Sequence, residues 1–279
     1  MLTSFRGLAA ASLLAVTAAI ATPALAGEAA PELQGPVLDT SVEPAAQPVD
    51  YALASHQGEA DGPITVSANV ALTTDYRFRG VSLSGGDPAI QGGLDIGHSS
   101  GFYAGTWASS IDGGPAYGEL ELDVYAGYSA ELSEGLTFDV GILYYIYPTE
   151  DIGANVNYWE PYASLGFTLG PAEATLGVAY AWDQDSLGSE DNLYVYTDLS
   201  AGIPSTPLTL DAHLGYTDGV LAPPLLAGAL DDTGFDWSVG ASMNIYGPLS
   251  ASVSYVGVEG PSIDGFTDDT VVVTLSAEF

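Results

Sequence analysis

Asp75, Asp95, Glu119, Glu121, Asp123, Asp139, Glu160, Asp198, Asp211 and Asp236 all fall on the polar phase of alternating segments. Glu173, Asp183 and Glu278 extend the same face. Carboxylates gathered this way raise the local cation concentration, and low-dielectric walls concentrate their field. Arg77 and Arg79 are the only cations in that phase. They either form the basic side of a constriction or tie neighbouring carboxylates together. Bidentate pairing suits the second role, which is the reading favoured. His213 shares the phase with Asp211, so a proton-moving His–Asp dyad is one reading. There is no Gly-x-Ser-x-Gly elbow and no His-Glu-x-x-His. His213 therefore reads as a hydrogen-bonded wall residue, and no catalytic residue is assigned. Asp183, Asp185, Glu190 and Asp191 cluster around Gly188. Oxygen-rich loops hold Ca²⁺, but this spacing does not match the EF-hand pattern, and a solvated acidic loop is expected. No metal or cofactor is assigned.

Composition bounds the function. The chain has 279 residues, with 36 Asp+Glu against three Lys+Arg, for a formal net charge of -33. Nothing here neutralises phosphates, so nucleic acid is excluded as a partner, and so is a polybasic membrane contact. With no cysteine, disulfides and thiolate chemistry are absent. A hydrophobic share of 47% with 17 Tyr and 34 Gly argues for a folded, all-β chain.

The first 26 residues read as a secretory signal. Arg6 supplies the positive region, Leu8 to Ile20 the apolar one, and Ala24-Leu25-Ala26 the small residues before Gly27. The cut falls between Ala26 and Gly27. The apolar stretch is short for a transmembrane anchor. Residues 27–62 carry Pro31, Pro36, Pro44 and Pro48 without a sustained period. They read as a Pro-rich, acidic, disordered linker; a short helix or a plug inside a barrel is the other reading.

Residues 63–279 are the third unit. From 64 to 78 the even positions read Ile, Val, Ala, Val, Leu, Thr, Tyr, Phe, while the odd positions from 65 to 79 are almost all polar. One face in grease and one in water produces this pattern. It recurs, which predicts twelve strands: 64–79, 88–98, 102–111, 118–130, 136–147, 156–169, 172–183, 192–203, 207–217, 235–246, 249–258 and 270–279. Phe102 and Trp107 have opposite parity, which leaves the lipid face of 102–111 open. Connections alternate between long and short. Such strands cross a hydrocarbon core at a tilt, with short periplasmic turns and longer extracellular loops.

Alternation does not say which face is inside. A soluble barrel of twelve strands leaves an unfilled apolar hole, since about eight strands is the width that side chains fill. Turned inside out, the same chain puts apolar faces in lipid and acids in water. Aromatics near strand ends (Tyr76, Phe78, Tyr128, Tyr144, Tyr147, Trp159, Trp182, Trp237) suit interfacial girdles. The last segment alternates strictly up to Phe279, in the manner of a C-terminal insertion signal. The fold class is an all-β, transmembrane, antiparallel up-and-down β-barrel. Strand spacing of about 4.8 Å and twelve tilted strands give a backbone radius of roughly 12 Å. Inward side chains then leave a narrow channel.

Several segments resemble the TorF family of porins, proteobacterial outer-membrane proteins. They are Thr74 to Ser82, Gly101 to Trp107, Glu121 to Tyr128, Tyr144 to Pro148, Tyr158 to Glu160, His213 to Tyr216, and Asp236-Trp237. The resemblance implies a porin-like barrel and supplies neither a substrate nor catalytic residues. Residues 27–62 and the Pro223-Pro224 loop lie outside it.

The expected function is passive diffusion of small solutes or ions through an acidic, cation-favouring lumen in the outer membrane of a Gram-negative bacterium. A structural or surface-interaction barrel with a closed lumen is the runner-up, and an outer-membrane hydrolase the third. Expected partners are outer-membrane lipid, the barrel assembly machinery through the C-terminal strand, small solutes or cations, and further copies of the chain. Intact-mass measurement of the secreted protein is expected to give a chain beginning at Gly27; retention of residues 1–26 would contradict the signal assignment.

Overall fold

The structure, a computed structural model, describes residues 63–279. The signal and linker assignments on residues 1–62, with the Ala26/Gly27 cut, lie outside the described residues. Twelve strands form the wall: β1 (Ile64–Thr73), β4 (Ala89–His98), β5 (Phe102–Ser110), β6 (Leu120–Ser133), β7 (Leu136–Ile146), β8 (Tyr158–Leu169), β9 (Ala172–Gln184), β10 (Glu190–Gly202), β11 (Leu208–Gly219), β12 (Thr233–Tyr246), β13 (Leu249–Val258) and β14 (Thr270–Glu278). Neighbours in sequence pair antiparallel, and β1 closes on β14 from Asn69↔Glu278 to Thr73↔Thr274. Closure leaves no open sheet edge. The strand order and count match the expectation from periodicity, and most boundaries agree within two residues.

The first strand departs from it. Expected to run to Arg79, β1 stops at Thr73, and the chain folds inward as a small hairpin of β2 (Arg77–Phe78) and β3 (Val81–Ser82). Arg77 pairs with Ser82 and Phe78 with Val81, so Arg79-Gly80 is a two-residue turn. Both turn residues have positive φ, 50° and 77°. That is the type I′ geometry which matches strand twist, with Arg in a place usually taken by Asn or Asp. The alternation expected to place Tyr76 and Phe78 in lipid is lost. Tyr76 is buried against Trp107 and Phe78 lies on Tyr145, both inside the barrel.

The two faces of the wall differ as patterning predicts. Outward residues such as Ile64 (57% exposed), Ile90 (62%) and Leu199 (52%) form an apolar belt. Each half-bare aliphatic side chain costs roughly 1 kcal/mol in water, so dozens of them require an apolar surround. Aromatics border the belt at both ends: Tyr144 on Trp159 and Trp237 against Tyr255 at the long-loop end, Phe102 against Tyr128 at the short-turn end. The parity conflict in β5 resolves simply, with Phe102 outside and Trp107 inside, 1% exposed. Tyr147, expected in the girdle, is buried against Tyr117.

Inside, tyrosine rings lie flat over glycines of the next strand. Tyr103 covers Gly127, Tyr162 covers Gly141, and Tyr196 covers Gly177, where an added Cβ would run into the ring. Aromatic cover of strand glycines compensates for the packing a glycine lacks. Gly166 has nothing nearer than 3.7 Å to such a Cβ. Gly177→Ala is therefore expected to destabilise the refolded barrel by about 1–3 kcal/mol in urea titrations in detergent, while Gly166→Ala changes it by a few tenths. Equal effects would show that the ring–glycine stacking is unimportant.

Candidate functional site

The lumen has two unlike halves. At the long-loop end the inserted hairpin fills it. From the end of β1 the segment reaches across the whole bore. Tyr76 donates its hydroxyl to Glu121 on β6 at 2.9 Å. Phe78 meets Tyr145 of β7 with ring centroids 5.7 Å apart. Arg79 Nη2 donates to Glu160 Oε2 of β8 at 2.7 Å, and its guanidinium lies 4.2 Å from the Tyr194 ring centre on β10. Gly80 packs so close to Val258 of β13 and Asp236 of β12 that a Cβ there would clash. Burial alone would pull the Arg79 guanidinium down, but Glu160 outweighs it and holds the charge above its ordinary range. Burial pushes the Tyr76 phenol up, so it stays a donor.

A second set of bonds fixes the hairpin base. Asp75 accepts from Arg77 Nε at 2.5 Å, Ser82 Oγ at 2.6 Å and Ser84 Oγ at 3.1 Å. Arg77 also reaches the loop 259–269, donating to the Asp268 backbone oxygen at 2.9 Å and its carboxylate at 3.1 Å. The Ser82 amide donates to the Phe266 carbonyl at 2.8 Å. Hairpin and last long loop are thus one bonded unit.

The residues singled out from sequence sort as follows. Asp75, Arg77 and Arg79 stand on this inserted segment, inside the bore and not on a wall strand. Glu121, Asp123, Glu160 and Asp236 face the hairpin and are at most 1% exposed. The two oxygens of Asp123 accept no hydrogen bond among the described residues. Asp95 accepts from Tyr125, and Asp139 accepts from Tyr103 at 2.7 Å, with Tyr162 joined to Tyr103 at 2.6 Å. Glu119 sits just before β6, exposed, its amide bonded to Thr149. Asp198 and Asp236 flank His213: Nδ1 to Asp198 is 2.6 Å and Nε2 to Asp236 2.9 Å, with the Tyr194 hydroxyl 2.8 Å from Nε2. Asp211 instead accepts from Ser242 at 2.9 Å, so the His213–Asp211 dyad does not form. Each ring nitrogen of His213 already faces a carboxylate.

The short-turn half is built differently. Inward residues of β12, β13, β14 and β1 there include small hydroxyls, among them Ser250, Ser252, Ser276 and Ser67, all only half-buried. The short-turn half is thus packed on its β4–β8 side by Asp95, Tyr103, Asp139 and Tyr162, and lined by half-buried serines on the other.

Sequence reading missed Tyr76 and Phe78 as lumen residues and Asp268 as the partner of Arg77, and left Trp107 open. One signal was available. A strand from 64 to 79 holds 16 residues, well beyond the roughly ten that cross a bilayer, and the excess is the inserted segment.

Residues 57–279 match the sequence profile of a family described as "Bacterial protein of unknown function (Gcw_chp)". The chain belongs to this Gcw_chp family. No curated protein matches the sequence. Among solved structures, the barrel is similar to the NanC porin, at TM-score 0.51 and 11% identity over 77% of this chain and 99% of that one. It is also similar to the KdgM porin, at TM-score 0.52 and 9% identity over 76% of this chain and 98% of that one. At such identity the likeness is one of fold: this Gcw_chp protein has a porin-like barrel.

His213 is the donor held between two carboxylates. His213→Phe is expected to lower the unfolding free energy of the refolded barrel by about 3–5 kcal/mol, because Asp198 and Asp236 lose their shared partner. Urea titration followed by tryptophan fluorescence reads it; an unchanged midpoint would mean that the carboxylates do not depend on the imidazole.

Proposed function

We propose that this protein is an outer-membrane channel of a Gram-negative bacterium, giving passive passage to small solutes or ions, with cations favoured. The observation that carries the reading is the closed twelve-strand barrel whose outward face is an apolar belt bordered by aromatics at both ends. Such a surface belongs in a bilayer with its long loops outside. The fold shared with porins and the resemblance to the TorF porins support the same reading. The charge supports cation preference: 36 acids stand against three basic residues, and in this reading the inward ones line the path of an ion. The partners in this reading are outer-membrane lipid, the assembly machinery acting on the strand that ends at Phe279, and the permeant cations or solutes. Other copies of the chain are also expected, since porin barrels commonly associate. No catalytic role is assigned, since His213 is committed to Asp198 and Asp236.

One observation favours a second reading, a structural or surface-interaction barrel with a shut lumen: the hairpin fills the long-loop half. Liposome swelling and planar-bilayer recordings separate the two. Passage of small solutes and a reversal potential of the cation-selective sign under a salt gradient are expected. Anion preference would overturn the charge argument.

A further inference from the structure

The 74–88 segment is more than a narrowing of the bore. We infer that it is a gate, held shut by Arg79 on Glu160 and released as a unit, so that the open pathway exists only with the hairpin withdrawn from the long-loop half. This rests on the channel reading above and adds how passage is controlled.

Three observations carry it. First, the hairpin crosses the bore at its level, touching β6, β7, β8, β10, β12 and β13 by the contacts of Tyr76, Phe78, Arg79 and Gly80. Second, the wall behind it suits water. Glu121, Asp123, Glu160 and Asp236 stand in that wall, between the rings of Trp107, Tyr145 and Tyr194. A permanent stopper is expected to seal against apolar side chains, whereas carboxylates hydrate readily once it leaves. Third, the fastening is of a kind that contributes little net stability. A buried Arg–Glu pair roughly trades its Coulomb attraction for the hydration both groups lose, and both regain water on release. Arg79 also holds a left-handed backbone, φ 50°, a conformation that L side chains rarely adopt.

The hairpin is covalently tied only through the ends of β1 and β4 and shares no ladder with the wall. Its base is bonded to the rim loop 259–269 through Arg77 and Asp268. A rearrangement of that loop is thereby transmitted to the hairpin.

The test uses the natural absence of cysteine. In the double variant Gly80→Cys, Val258→Cys, the two new side chains fall within disulfide reach, since a Cβ on Gly80 would already contact Val258 Cγ1. Single-channel recording of the full mature chain is expected to show the oxidised form silent. Dithiothreitol should restore openings, the reduced variant opening at least as often as the unmodified protein because a Cβ at Gly80 strains the shut state. Arg79→Ala, and a variant with 76–83 replaced by a short Gly-Ser linker, are expected to stay open longer, with conductance at least several-fold higher for the linker variant. If the oxidised staple and the linker variant conduct as the unmodified barrel does, the gate is wrong and the channel stands. If no form conducts, the linker variant included, while heat-modifiable migration shows folded barrels, the channel reading fails and the gate with it.

Discussion

Buried carboxylates need donors, and this chain has almost no cations to supply them. A lone carboxylate in a low-dielectric interior costs several kcal/mol, so inward acids are drawn to a hydroxyl, an amide, an imidazole or one of two arginines, though Asp123 meets none of these among the described residues. The interior is arranged around that shortage. Tyr76 serves Glu121, Tyr103 serves Asp139, Tyr125 serves Asp95, and Ser242 serves Asp211. His213 bridges two acids at once. The abundance of tyrosine thus has a second cause beyond strand propensity: a phenol reaches across a strand and brings a donor without adding charge. Glycine on the neighbouring strand makes room for the ring, which ties Tyr103 to Gly127 and Tyr196 to Gly177.

The two arginines meet the same shortage by moving. On a wall strand, Arg77 and Arg79 would reach only the acids of adjacent strands. On a hairpin folded into the bore, Arg79 crosses to Glu160 on β8, and Arg77 ties Asp75 to Asp268. Sixteen residues of one alternating run are therefore divided between wall and interior. The division couples charge neutralisation to the state of the bore, because the side chains that settle the acids are the ones that occupy the path. In the proposed gate, lifting the hairpin would turn the same acids to water, and their field would favour cations.

The wall was legible from residues 64 to 279 because a half-buried strand has a period of two and lipid selects one phase. Leu122, Val124 and Ala126 are outward and Glu121, Asp123 and Tyr125 inward, as alternation requires. The connection lengths added closure and the common placement of the long loops. The hairpin was not legible in this way. Thr74 to Arg79 continues the alternation without a break, and Arg-Gly is not the usual I′ pair. Parity assigns Tyr76 to lipid only if there is a strand partner to hold it there. The partners of β1 are used up at Thr73, where it pairs with Ala89 and Thr274. The role of Asp268 was likewise invisible, since its partner Arg77 is 191 residues away in the chain.

The sequence by itself determined the apolar phase of most wall strands, how many strands close the barrel, and that the interior is acidic. Each of these is a local property: alternation, segment length and composition repeat within every strand. Tertiary structure alone decided where the first strand ends, which acid each arginine answers, and whether the bore is filled. Those are contacts across the lumen between residues far apart in the chain, chosen by the desolvation cost of unpaired charge, and no local pattern encodes that cost.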